Sequence, residues 1–211
     1  MVVDDGLLIK NIMRWLPYLT FLLSVTFYNN YKKYSYYKYF ISHILIIIFF
    51  DILDRIYFGI NNLKLFDIYT FFEFNSFALI YYHLLKDKTR INILKGLVLV
   101  FNLIYFLLYY LNFYTFYTVP IEGVVNSIIV ILFFIELLNS ESILNYKKML
   151  SFWLSVAFLV FYLTTVPFWS LYYSSIFATR DMFPIIYYLV VVFQLIFIYG
   201  LIACRKTEDL Y

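Results

Sequence analysis

Six polar residues set in otherwise apolar stretches are where chemistry can reside: Asp51, Asp54, Arg55, Glu73, Glu122 and Asn126. An ionisable group inside a membrane-crossing helix is costly, so such residues mark candidate sites. Asp51, Asp54 and Arg55 follow i, i+3 and i+4 spacing and share one helix face, with His43 two turns away on the same stripe. Glu73 has Tyr69 one turn before it and Ser76 on the same side, and Glu122 and Asn126 are one turn apart. Carboxylates outnumber the single arginine. That surplus suits a cavity for a cation, a proton or a small polar ligand. A plainer assignment has Asp51 and Arg55 paired within their helix, with Glu73 and Asn126 hydrogen-bonding neighbouring helices as packing glue. Spacing alone is compatible with both.

These residues need elements to hold them. Of 211 residues, 64% are hydrophobic and 14% charged, with 24 Tyr and 25 Phe. Soluble domains run at about 25% charged, so this chain lacks the polar residues to cover a water-facing globule, and lipid is its expected solvent. Seven apolar segments approach the roughly 20 residues that a crossing requires. They are Trp15–Tyr31, Tyr39–Ile60, Asp67–Leu85, Gly96–Phe113, Pro120–Leu138, Leu150–Tyr172 and Pro184–Cys204. The expected fold is all-α, a single polytopic bundle of seven transmembrane helices. Continuous apolar runs, not short alternating strands, argue against a barrel. Pro120 and Pro184 are expected at the first turn of their helices, where the missing N–H costs nothing. Asp54, Glu73 and Asn126 each lie six residues from one end of their segment, roughly 9 Å deep at 1.5 Å per residue. Thr164 and Thr165, near Pro167, lie a little deeper, and Asp51 is close to the midplane. The candidate site is therefore expected in one outer-half layer.

Lys and Arg set the orientation. One side of the seven-segment scheme collects Lys32, Lys33, Lys38, Lys86, Lys88, Arg90, Lys95, Lys147, Lys148, Arg205 and Lys206. The other side has Lys10, Arg14, Lys64 and Arg180. The crowded side is expected in the cytoplasm, with the N-terminus outside and the chain in a bacterial inner (cytoplasmic) membrane. Trp15 and Trp169 then fall at the outer interface and Trp153 near the inner one. Glu136 and Glu141, flanking the inner end of the fifth segment, are expected in solvent. The basic, tyrosine-rich loop Asn29–Tyr39 is suited to anionic lipid headgroups, or more plainly to anchoring at the inner leaflet.

Several classes of function are set aside. The one cysteine, Cys204, allows neither an internal disulfide nor a thiolate metal cage. A net charge of +3 is too small to suggest a nucleic-acid partner. No GxSxG or HExxH occurs, and the last segment has no lysine to hold retinal. No catalytic residue, metal or cofactor is expected. Loops are short and only seven residues, Arg205–Tyr211, follow the last segment, so a signal would pass to a separate membrane protein.

The stretch Leu65-Phe66-Asp67-Ile68-Tyr69-Thr70-Phe71-Phe72-Glu73-Phe74, with Tyr81-Tyr82-His83-Leu84-Leu85-Lys86 after it, resembles seven-helix membrane proteins of Bacteroidota-type bacteria. The resemblance also covers Glu122 early in the fifth helix and Phe152-Trp153 opening the sixth. It implies the seven-helix topology and singles out Glu73 and Glu122. It implies no activity. Three functional readings follow, in order of preference. The first is a receptor-like or accessory subunit with an outward polar pocket, working with a membrane-protein partner. The second is a transporter or channel for a cation, proton or small solute. The third is an intramembrane lipid-modifying enzyme using Asp and Glu as acid and base.

Overall fold

The computed structural model describes residues 5–56, 63–111, 114–173 and 183–206. Its helices are α1 (Asp5–Thr26), the single turn α2 (Tyr28–Tyr31), α3 (Ser35–Ile56), α4 (Leu63–Leu84), α5 (Lys88–Tyr110), α6 (Tyr114–Leu138), α7 (Leu150–Tyr173) and α8 (Phe183–Ala203). A 3₁₀ segment, Glu141–Lys148, joins α6 to α7. Among the described residues there is no strand. Four helices, α5 to α8, are long and apolar enough to cross a membrane. The other three long helices have 22 residues each, but ionisable groups interrupt their apolar surface: Lys10 and Arg14 in α1, Asp51, Asp54 and Arg55 in α3, Asp67 and Glu73 in α4.

Several boundaries differ from the hydropathy reading, for one physical reason. Hydropathy marks where a helix meets lipid, whereas backbone hydrogen bonding runs on into polar turns. So α1 starts at Asp5 instead of Trp15, and α5 starts at Lys88 instead of Gly96. The α5 start is fixed by Asp87, whose carboxylate accepts the Thr89 N–H at 3.0 Å as an N-cap. Pro120 lies inside α6, which begins six residues earlier, and not at its first turn. Pro184 is the second residue of α8, where a missing N–H is harmless. The first segment also breaks at Phe27, between α1 and α2. The segment ends expected at Ile60 and Phe113, together with Arg180, lie outside the described residues.

The long helices close into a ring. α1 packs on α3 and α8, α3 on α4, α4 on α5 and α6, α5 on α6, α6 on α7, and α7 on α8. Because α4 also touches α6, α5 is pushed to the outside, and it is the least buried of the four apolar helices. Aromatic residues fill the centre. Phe158 of α7 meets Phe77 of α4 edge-on at 4.8 Å and Phe197 of α8 at 5.1 Å, and Phe74 stacks on Phe101 at 3.8 Å. Polar pins fix the helices: Tyr81 donates to Ser155 at 2.9 Å, Tyr37 to the Ser24 carbonyl at 2.8 Å, and the Asn75 and Asn102 amides bond each other at 3.1 and 3.2 Å.

One end of the ring gathers α2, the start of α3, the α4–α5 turn, the 3₁₀ segment and the end of α8. Asn30 reaches the Arg205 carbonyl at 3.4 Å, and the Trp153 indole donates to the Lys147 carbonyl at 2.9 Å. This end holds the lysine-rich connections and is called the basic end below. Glu136, expected in solvent, instead ties it together. Its carboxylate accepts the backbone N–H groups of Lys86 (2.8 Å) and Asp87 (3.3 Å) and lies 3.5 Å from the Arg90 guanidinium.

Candidate functional site

On α4, residues 66, 69, 70, 73, 77, 80 and 81 follow helical spacing and face the bundle. Apolar members of that face build the core, whereas Tyr69 and Glu73 place polar groups in it. Glu73 is 8% exposed. Opposite lies α6, whose inward face runs through Thr118, Glu122 (4% exposed) and Asn126 (0%) before turning apolar at Ile129 and Phe133. α7 completes the group with Tyr162. Its hydroxyl donates to Glu73 Oε1 at 3.3 Å, and the Tyr69 hydroxyl addresses the same carboxyl. The Asn126 amide donates to Glu122 Oε1 at 3.5 Å, the limit of a hydrogen bond. Glu122 is close enough to Glu73, Tyr69 and Tyr162 for their charges to interact.

Gly123 makes this closeness possible. A Cβ there would lie 2.6 Å from Val166 Cγ2, so with Val166 in place the glycine lets α7 approach α6 at the level of Glu122. The group therefore holds two buried carboxyls, two phenols and an amide from three helices. The Asn126 carbonyl oxygen is buried without a hydrogen-bond partner. No basic side chain among the described residues is placed to neutralise either acid.

The group extends toward α3. The Ser76 hydroxyl donates to the Glu73 carbonyl at 2.9 Å, leaving its oxygen to accept from His43 Nδ1 at 2.8 Å. His43 Nε2 is buried and unpaired beside the Phe158 ring, 5.5 Å between centroids.

Asp51 and Arg55 form a second, separate group. The Arg55 guanidinium lies 2.6 Å from Asp51 Oδ2, which also accepts the Tyr18 hydroxyl of α1 at 2.9 Å. Arg55 further lies over the Trp15 and Tyr18 rings at 6.0 and 5.8 Å. Both members of the pair are partly exposed, and Asp54 is half-buried on the next turn. The structure thus brings Glu73, Glu122 and Asn126 together, and Asp51 and Arg55 together. The arginine bonds Asp51 one turn away and not Glu73 across the helices.

Sequence reasoning missed three participants. Tyr162 is one of 24 tyrosines, so its type carries little signal, although a buried phenol does require a hydrogen-bond partner. Tyr18 is missed for the same reason. Asp67, taken as a helix boundary, is wholly buried, and neither of its carboxyl oxygens has a hydrogen-bond partner. The Tyr105 hydroxyl beside it bonds the Asp67 main-chain carbonyl at 3.0 Å.

No protein-family model matches the chain, and comparison with curated proteins and with solved structures finds no similar chain.

Proposed function

We propose that this chain is a seven-helix protein of a bacterial cytoplasmic membrane that passes a proton or a small cation through the Glu73–Glu122 pair. One observation carries the reading. Two buried carboxyls lie close enough for their charges to interact, with no basic side chain among the described residues placed to neutralise either and with oxygen ligands around them. Two adjacent buried negative charges repel strongly, so the pair is held most cheaply with a proton or a cation shared between them. The surrounding groups are all hard oxygen ligands: both carboxyls, the Tyr69 and Tyr162 hydroxyls, and the unpaired Asn126 carbonyl. That set suits a proton or an alkali or alkaline-earth cation better than a soft metal. In this reading the basic end faces the cytoplasm, since lysine and arginine collect on the inner side.

The test is flux through proteoliposomes holding the purified chain, followed with a pH-sensitive dye for protons and isotopes for Na⁺ and K⁺. Wild-type vesicles should dissipate an imposed gradient of one of these ions faster than empty vesicles, and Glu73→Gln and Glu122→Gln should lose the excess. Equal rates in wild-type and empty vesicles for all three ions would sink the transport reading. The receptor-like reading would then take its place, with the same pair as ligand pocket. It draws support from the exposed apolar face of α5, through Leu99, Leu103, Phe106 and Tyr110, as a surface for a membrane partner.

A further inference from the structure

The basic end contains a cavity of about 730 Å³ that has no part in the carboxyl pair. It lies between the α2–α3 turn, the last turn of α4, the end of α6, the 3₁₀ segment and the first turn of α7. Its chemistry is divided. Leu84, Phe133, Leu137 and Met149 give apolar walls, whereas Lys33, Lys86 and Lys148 supply positive charge. Hydroxyls of Ser35, Ser140, Ser142 and Ser151 add hydrogen-bonding groups.

Glu136 and Glu141 also line the cavity, so the charge balance turns on their partners. Glu136 already accepts two backbone N–H groups and faces Arg90 from outside the cavity. Its charge is spent on the α4–α5 turn, which leaves the exposed Glu141 as the one carboxylate set against the cavity's lysines. Lys86 and Lys148 have no acidic partner among the described residues.

A second observation bears on what enters. Leu144 of the 3₁₀ segment lines the cavity yet is 85% exposed. An apolar side chain held that far out beside lysines fits the headgroup boundary of a bilayer, where the chain tip meets lipid and the ammonium groups meet phosphate. Apolar walls, the side chains of Lys86 and Lys148 without an acidic partner among the described residues, and an outward leucine together match an amphiphile.

We infer that this cavity binds one phospholipid with an anionic headgroup, its phosphate at Lys86 and Lys148 and an acyl chain along Leu84, Phe133 and Leu137. The site rests on the chain being a membrane protein and is independent of what the Glu73–Glu122 pair does. It anchors the 3₁₀ segment that joins α6 to α7.

The test is native mass spectrometry of the detergent-purified chain titrated separately with phosphatidylglycerol, phosphatidylcholine and inorganic phosphate. Wild type should retain one phosphatidylglycerol in preference to phosphatidylcholine. Each of Lys86→Gln and Lys148→Gln should weaken that binding about fivefold, the effect of removing one lysine near an anionic headgroup. Lys88→Gln, exposed and outside the cavity, should leave it unchanged. Folding of each variant is checked by its thermal unfolding curve. Equal loss in Lys88→Gln would reduce the effect to general surface charge, and no loss in the two cavity variants would show that their lysines do not hold the headgroup; either result would overturn the site. Inorganic phosphate competing as strongly as the lipid would overturn it too, because the apolar walls would then contribute nothing.

Discussion

Glu73 and Glu122 differ from Asp51 in what surrounds them, and that difference sets what each substitution does. Groups in one network couple by about 0.5–3 kcal/mol in a double-mutant cycle, whereas groups that share no partner add within about 0.3–0.5 kcal/mol. Glu73→Gln or Glu122→Gln alone removes the repulsion within the pair, so the second substitution has little left to relieve. Their stability effects, measured by unfolding in detergent, should be non-additive. Glu73→Gln with Asp51→Asn should be additive, because Asp51 bonds Arg55 and Tyr18. Asp51→Asn alone should cost about 0.2–1 kcal/mol, the range for partly exposed ion pairs. Strong coupling between Asp51 and Glu73 would mean one continuous site in place of two groups. At this scale the sequence was informative where residue type was rare. Glu73, Glu122 and Asn126 stand out from an apolar background at helical spacing, and they do converge. Tyr162 does not stand out among so many tyrosines, and Asp67 was hidden by its place at a hydropathy edge.

At the scale of the helix, the α6–α7 contact depends on an atom that is absent. A Cβ at position 123 would overlap the Val166 methyl at 2.6 Å. Gly123→Ala should therefore force the helices apart or push Val166 off its rotamer, at about 1–3 kcal/mol for overpacking. Val166→Ala supplies the missing space, so the double variant should recover most of the unfolding temperature lost in Gly123→Ala. It should also recover whatever flux or ligand binding the single variant loses, since Tyr162 and Glu122 return to register. Failure of Val166→Ala to rescue would show that the Val166 methyl is not what limits the approach of α6 and α7. Helices themselves were largely legible, because continuous apolar runs of this length have few alternatives. Their polar starts were not. Lys88, Arg90 and Lys95 look like a loop by hydropathy, yet the Asp87 cap and the Glu136 carboxylate make them the first turns of α5. Long-range partners such as Glu136 and the α4–α5 turn, 50 residues apart, leave no local trace in the chain.

For the whole molecule, the distribution of basic residues predicts which end of the ring faces the cytoplasm. Basic residues from the α2–α3 turn, the α4–α5 turn, the 3₁₀ segment and the turn after α8 converge at one end, and the Asn30–Arg205 and Trp153–Lys147 contacts hold those segments together. Placing that end in the cytoplasm predicts the reactivity of thiols on either side. Cys204 is a poor reporter, because it is wholly buried, with its sulfur 3.9 Å from the Lys147 carbonyl. Replaced by serine, it leaves a background for single reporters at two exposed positions, Asn11→Cys in α1 and Lys88→Cys at the start of α5. In intact spheroplasts a membrane-impermeant maleimide should label Asn11→Cys at once and leave Lys88→Cys unreacted until the membrane is permeabilised. The reverse pattern would invert the bundle. Labelling of both positions in intact spheroplasts would put Asn11 and Lys88 on one face of the membrane, which requires fewer crossings than seven. In that case α1, α3 or α4, the helices interrupted by ionisable groups, would have to lie along the membrane or against its other helices without crossing it.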